Sequence, residues 1–110
     1  MITSGIDNAR FGLTQTDLDA IVAVVGHLPE VEEAVIFGSR AKGNYTAGSD
    51  VDIALKGAAV SHATASYISY KLNEETQMPY HFDVLNYQLI SNPDLTNHID
   101  RVGVPFYKQQ

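Results

Sequence analysis

A chain of 110 residues, 45% of them hydrophobic, carries apolar material for one core, which suits a single domain spanning 1–110. It has no cysteine and no long apolar run, which excludes disulfides, thiolate zinc sites and a membrane-spanning helix. Its formal net charge of −6 disfavours non-specific nucleic-acid binding, since that affinity comes from neutralising phosphates.

The same acidity suits a basic protein partner or a carboxylate-rich metal site, and it also serves solubility alone. Met1 to Arg10 is polar and lacks the apolar segment of an export signal, which with the missing cysteine points to the cytoplasm. The first predicted element is a helix from Thr14 to Val25, with Leu18, Ile21, Val22 and Val25 on one face. Thr14 or Thr16 can cap it, Asp17 and Asp19 favour its dipole, and Gly26 and Pro29 stop it. Ala34-Val35-Ile36-Phe37 is a short apolar strand ended by Gly38. Val51 to Lys56 is a second strand, where Val51, Ile53 and Leu55 alternate with Asp52, Ala54 and Lys56.

A second long helix is predicted from Ser61 to about Thr76, with Ala65, Ile68 and Leu72 on its apolar stripe. Met78 to Asn86 holds a third strand, with Phe82 and Val84 alternating with His81, Asp83 and Leu85. A last helix starts at the cap Asn92 with Pro93 in first position, uses Leu95, Ile99 and Val102 as its apolar face, and ends at Gly103. Val104 to Tyr107 reads as a short apolar tail. The order describes a small α/β layer, a short sheet covered by helices, with no internal repeat and no linker.

The chemistry is concentrated in Gly38-Ser39-Arg40-Ala41-Lys42-Gly43 and Ser49-Asp50-Val51-Asp52. Gly38 permits a sharp turn after the strand, and Ser39 opens a short helix whose hydroxyl and free N–H groups suit an anion. Arg40 and Lys42, two of only seven basic residues, fall in the same stretch, a local charge reversal that hints at phosphate. Asp50 and Asp52 are two apart at a strand start, so their side chains share a face. Two like charges about 4 Å apart repel by about 4 kcal/mol at an effective dielectric near 20, and a divalent cation between them reverses that sign. Magnesium takes such hard oxygen ligands together with substrate phosphates. Asp83 on the third strand completes a trio if that strand lies beside the second, the ligand set of a two-metal transfer site.

Taken singly, each piece has a plainer reading. A Gly-Ser is more often a turn, an Asp-x-Asp more often a solvated strand start, and a lone Asp on a strand more often simply exposed. Their joint occurrence in this order is what argues for a site. His81 shares the face of Asp83 and stays open between a site role and none. His27, His62 and His98 read as surface residues. Tyr45 can stack or cover its loop, and Tyr67 and Tyr70 read as packing.

These residues resemble a known family. Gly38-Ser39, ten residues, then Asp50-Val51-Asp52 is similar to the signature of the DNA polymerase beta-like nucleotidyltransferase superfamily. The fuller string GSRAKGNYTAGSDVDIAL resembles the minimal nucleotidyltransferases of prokaryotes, the MntA-like proteins. Asp83 in His-Phe-Asp-Val-Leu matches the family's third acidic residue, and the close in Phe106-Tyr107 matches its ending. The likeness runs from about Thr14 to Tyr107, and it departs from the family where Gln77 to His81 is unusually polar ahead of the third aspartate.

The resemblance implies the small nucleotidyltransferase fold, a short mixed sheet flanked by helices. It implies Asp50, Asp52 and Asp83 as catalytic residues and as ligands of two magnesium ions, with Gly38, Ser39, Arg40 and Ser49 at the nucleotide. It further implies an antitoxin that transfers AMP from ATP to a tyrosine of a HEPN-type ribonuclease toxin, in a hetero-oligomer with that toxin. The rival readings are an antitoxin that binds its toxin without turnover, and a transferase acting on an RNA end or an aminoglycoside.

Overall fold

In the computed structural model, residues 10–110 are described, so all of the polar start except Arg10 lies outside them. Helix α1 is Gln15–Val25. Thr14 caps it, not Thr16: the Thr14 hydroxyl accepts from the Asp17 N–H at 3.0 Å and the Asp17 carboxylate accepts from the Thr14 N–H at 3.1 Å. Strand β1 (Glu33–Phe37) runs directly into the short helix α2 (Gly38–Lys42), and β2 is Val51–Lys56. Helix α3 (His62–Glu74) is capped by Ser61 and leads to β3 (Phe82–Asn86). A 3₁₀ turn (Tyr87–Leu89), helix α4 (Pro93–Val102) and strand β4 (Val104–Lys108) complete the chain.

The four strands form one mixed sheet in the order β3-β2-β1-β4. β1 runs antiparallel to both β2 and β4, whereas β2 and β3 are parallel. That parallel pair needs a long crossover, which α3 supplies. Leu18, Ile21, Val25, Ile68 and Leu72 of α1 and α3 pack on Ile36, Ile53 and Phe82 over one face. On the other face, Ile99 and Leu95 of α4 meet Val35, Phe37, Ala54 and Leu85. Both sheet faces are thus covered, as the continuous apolar run of β1, buried on both sides from Ala34 to Phe37, requires.

Two expectations change. The third strand begins at Phe82 and not at Met78, because Pro79 has no N–H for a ladder and the polar stretch before it forms a loop. The apolar tail is a real edge strand, β4, whose register on β1 shifts between Ala34 and Val35 so that Pro105 is accommodated at a bulge. Tyr67 and Tyr70, read as packing, stand 37% and 55% exposed. No helix among the described residues is long and apolar enough to cross a membrane.

Candidate active site

The site grows out of the turn from β1 into α2. Gly38 has φ +74°, the left-handed region that glycine enters without strain, and a Cβ placed there would collide with the Asp52 carboxylate. Glycine is therefore demanded twice at this position, by the backbone and by the neighbour. The register of β1 on β2 places Phe37 opposite Asp52, which brings that carboxylate under the turn. No side chain caps the start of α2, so its first N–H groups stay open, and Ser39 is half-exposed among them.

The parallel pairing supplies the third acid. Asp52 lies opposite Asp83 in the β2–β3 register, both on the sheet face that carries α4. Asp50, exposed on the loop just ahead of β2, extends the same alternating row. The electrostatics record this convergence. The Asp52 carboxyl is pushed up to about 6, first by partial burial and then by the negative charges of Asp83 and Asp50, with His81 opposing the rise. His81 is exposed immediately before β3, so its reach toward the acids is a matter of charge. Among the described residues no three His, Cys, Asp or Glu side chains are gathered tightly enough to form a ready cage for a metal. The acids are thus close enough to repel, yet open. An all-oxygen donor set held in mutual repulsion fits a hard divalent cation.

Arg40 departs from expectation. Its side chain is 2% exposed and turned into the protein. Nε and Nη2 donate to the Ser49 carbonyl at 3.1 and 3.0 Å, Nη2 also to Ala47 O at 3.3 Å, and Nη1 to Phe11 O at 2.8 Å. The guanidinium lies 5.3 Å from the Tyr45 ring centre and 5.0 Å from that of Tyr80. These bonds fix it as a clamp on the loop that delivers Asp50. The Ser49 hydroxyl is also engaged, accepting from the Thr46 N–H at 2.9 Å. The open question over Tyr45 resolves as stacking on Arg40. Tyr80, which no pattern singled out, joins the clamp and donates to Asp17 at 2.9 Å. Its only sequence signal was an aromatic residue in a polar loop.

Residues 19–110 match the family model described as polymerase beta, nucleotidyltransferase. The chain belongs to this nucleotidyltransferase family. A comparison with curated proteins gives no sequence match. Among solved structures, this nucleotidyltransferase is similar to a chain of a toxin–antitoxin complex with AMP-PNP: 19% identity, 86% of this chain and 75% of that one, TM-score 0.71. It is similar to a chain in the complex of tri-AMPylated Shewanella oneidensis HEPN toxin with MNT antitoxin, at 17% identity, 87% and 73% coverage and TM-score 0.65. A putative nucleotidyltransferase from Sulfolobus solfataricus is 21% identical, with 99% and 91% coverage and TM-score 0.56. At these identities the likeness is one of fold, the small mixed sheet with helices on both faces.

Proposed function

We propose that this nucleotidyltransferase transfers AMP from ATP to a tyrosine of a HEPN-type ribonuclease toxin in the cytoplasm and so neutralises it as an antitoxin. The observation that carries the reading is the convergence of Asp50, Asp52 and Asp83 beside the Gly38–Ser39 turn, with the Asp52 carboxylate against Gly38. Structural support includes the fold it shares with chains of toxin–antitoxin complexes, one of them with AMP-PNP.

In this reading Gly38, Ser39 and the open N–H groups of α2 receive the β and γ phosphates. Arg40 and Ser49 act at one remove, fixing the loop that positions Asp50. Asp50, Asp52 and Asp83 would hold two magnesium ions. Such ions, when bound, neutralise the triphosphate and lower the cost of charge on the reacting oxygens. Asp83, exposed on the edge strand, faces the incoming acceptor and takes part in removing its proton. The bond from the tyrosine oxygen to the α phosphorus forms, the bond to pyrophosphate breaks, and the phenolic proton passes to a carboxylate and on to water. Positioning and charge stabilisation dominate, as in phosphoryl transfer generally. The acidic surface suits a basic protein acceptor better than an RNA end.

The test mixes the protein with ATP, magnesium and the toxin and reads intact masses. Gain of AMP units on the toxin is expected, and Asp83→Asn should abolish it. A toxin mass that never changes, with inhibition persisting in Asp52→Asn, selects the antitoxin that only binds. Growth of an RNA by one nucleotide keeps the enzyme class and overturns the acceptor.

A further inference from the structure

A groove of about 760 Å³ runs along the outer edge of β3, between α3 and the segment that leads into α4. Its walls are Ser69, Tyr70 and Asn73 on one side and Leu89 and Leu95 on the other, with Val84 between them. Tyr70 and Leu89, two of the three large hydrophobic side chains exposed among the described residues, stand 55% and 67% exposed on its rim, and their place there asks for a reason.

The backbone of β3 gives that reason. In the parallel ladder the Val51 N–H donates to the His81 carbonyl at 2.9 Å, so His81, Asp83 and Leu85 turn their peptide groups toward β2. Phe82 and Val84 therefore turn theirs outward. At Phe82 the outward groups are satisfied by a side chain that imitates a strand. The Phe82 N–H donates to Asn73 Oδ1 at 2.8 Å, and Asn73 Nδ2 donates to the Phe82 carbonyl at 2.9 Å. One step along, the outward N–H and C=O of Val84 have no such partner among the described residues, and they face the groove. An unpaired edge next to an apolar trough is a template for an added strand.

Charge and position say what kind of strand. No Lys or Arg lines the groove; its charged wall residue is Glu74, and its other titratable neighbours are His62 and Tyr70. Asp83 stands beside Val84, in the row that continues to Asp52. A segment laid on the edge lies roughly 5 Å from β3, so a side chain on the Asp83 face of that segment stands next to Asp83.

We propose that the β3 edge is the acceptor dock: an extended, basic segment of the partner protein pairs with Val84 and sets its tyrosine hydroxyl beside Asp83. This rests on the transfer reading above and adds to it how the acceptor is held. The experiment follows the Val84 amide by hydrogen exchange in the ¹⁵N-labelled chain, alone and with the HEPN-type toxin. Toxin affinity and ATP affinity are measured beside it for Leu89→Lys, on the exposed rim, and for Val84→Pro, which removes the outward N–H. Slower exchange at Val84 in the complex is expected. Both variants should weaken toxin binding roughly tenfold while ATP affinity holds. Leu89→Lys keeps the test usable if Val84→Pro misfolds, since Leu89 lies outside the core. A complex that forms with Val84 exchange unchanged overturns the dock and leaves the transfer reading standing. Exchange that slows with protein concentration in the chain alone assigns the edge to a second copy and also overturns it. Protection at Val84 with no AMP ever reaching the toxin removes the transfer reading and with it the acceptor role, leaving the edge as a binding surface only. If no complex forms, both fall.

Discussion

Arg40 and Asp52 flank the same loop, yet the fold treats their charges in opposite ways. Arg40 is almost wholly buried, and carbonyls of Phe11, Ala47 and Ser49 accept its protons while two aromatic rings cover it. Asp52 is only partly buried, and its strongest charged neighbours are two further carboxylates. A satisfied buried charge is architecture. Like charges gathered with only His81 to offset them are costly unless something else arrives to bind them, which is why such groups collect at functional sites.

That contrast can be broken experimentally. The largest effect is expected from Gly38→Val, which forces a branched residue into a left-handed conformation and against Asp52. Nucleotide binding by calorimetry should fall at least about a hundredfold, and wild-type affinity would show that the turn does not hold the triphosphate. Next comes Arg40→Met, which keeps the side chain's bulk and removes the donors. It should cost about 3 kcal/mol in denaturant unfolding, because carbonyls of Phe11, Ala47 and Ser49 lose their partner. Arg40→Lys should recover only part of this, since an ammonium cannot reproduce the fork. Unchanged stability with lost ATP binding would put Arg40 back at the nucleotide and erase the contrast.

The smallest effect tests the other half. The Asp52 carboxyl titrates higher in the folded chain than when unfolded, so its contribution is complete below about pH 4 and is lost as pH rises through about 6. Without metal, Asp52→Asn should therefore gain stability relative to wild type across that interval and keep the gain at neutral pH. The full shift corresponds to about 3 kcal/mol, and solvent access reduces this to roughly 1–2 kcal/mol. Thermal melts in chelator should show a rise on the order of 5 °C at pH 7. Equal melting of both proteins from pH 4 to 7 would mean that the carboxylates do not burden the fold.

Much of this was legible in the residues because it is local. Thr14 and Asn92 serve as caps through contacts two or three residues away, and the spacing of Leu18, Ile21 and Val25 marks a buried face. Asp50 and Asp52 share a row because a strand repeats every two residues. The family signature fixed on the same residues, and the fold it implied is the fold observed.

What depended on distant partners was hidden. Arg40 read as a phosphate ligand because a cation in an acidic chain suggests one; its acceptor at Phe11 lies 29 residues away and is met only after folding. Val104 to Tyr107 read as a short apolar tail, and only its pairing with β1, with the register shift that accommodates Pro105, shows it to be a strand. Alternation placed Asp83 on one face of a strand. The parallel union of β2 and β3, possible because α3 crosses over and both sheet faces are covered, set it opposite Asp52. Period and capping follow from backbone dihedrals within a few residues, so the sequence determines them alone; pairing is chosen by what buries the most surface across the whole chain, and that is settled only in three dimensions.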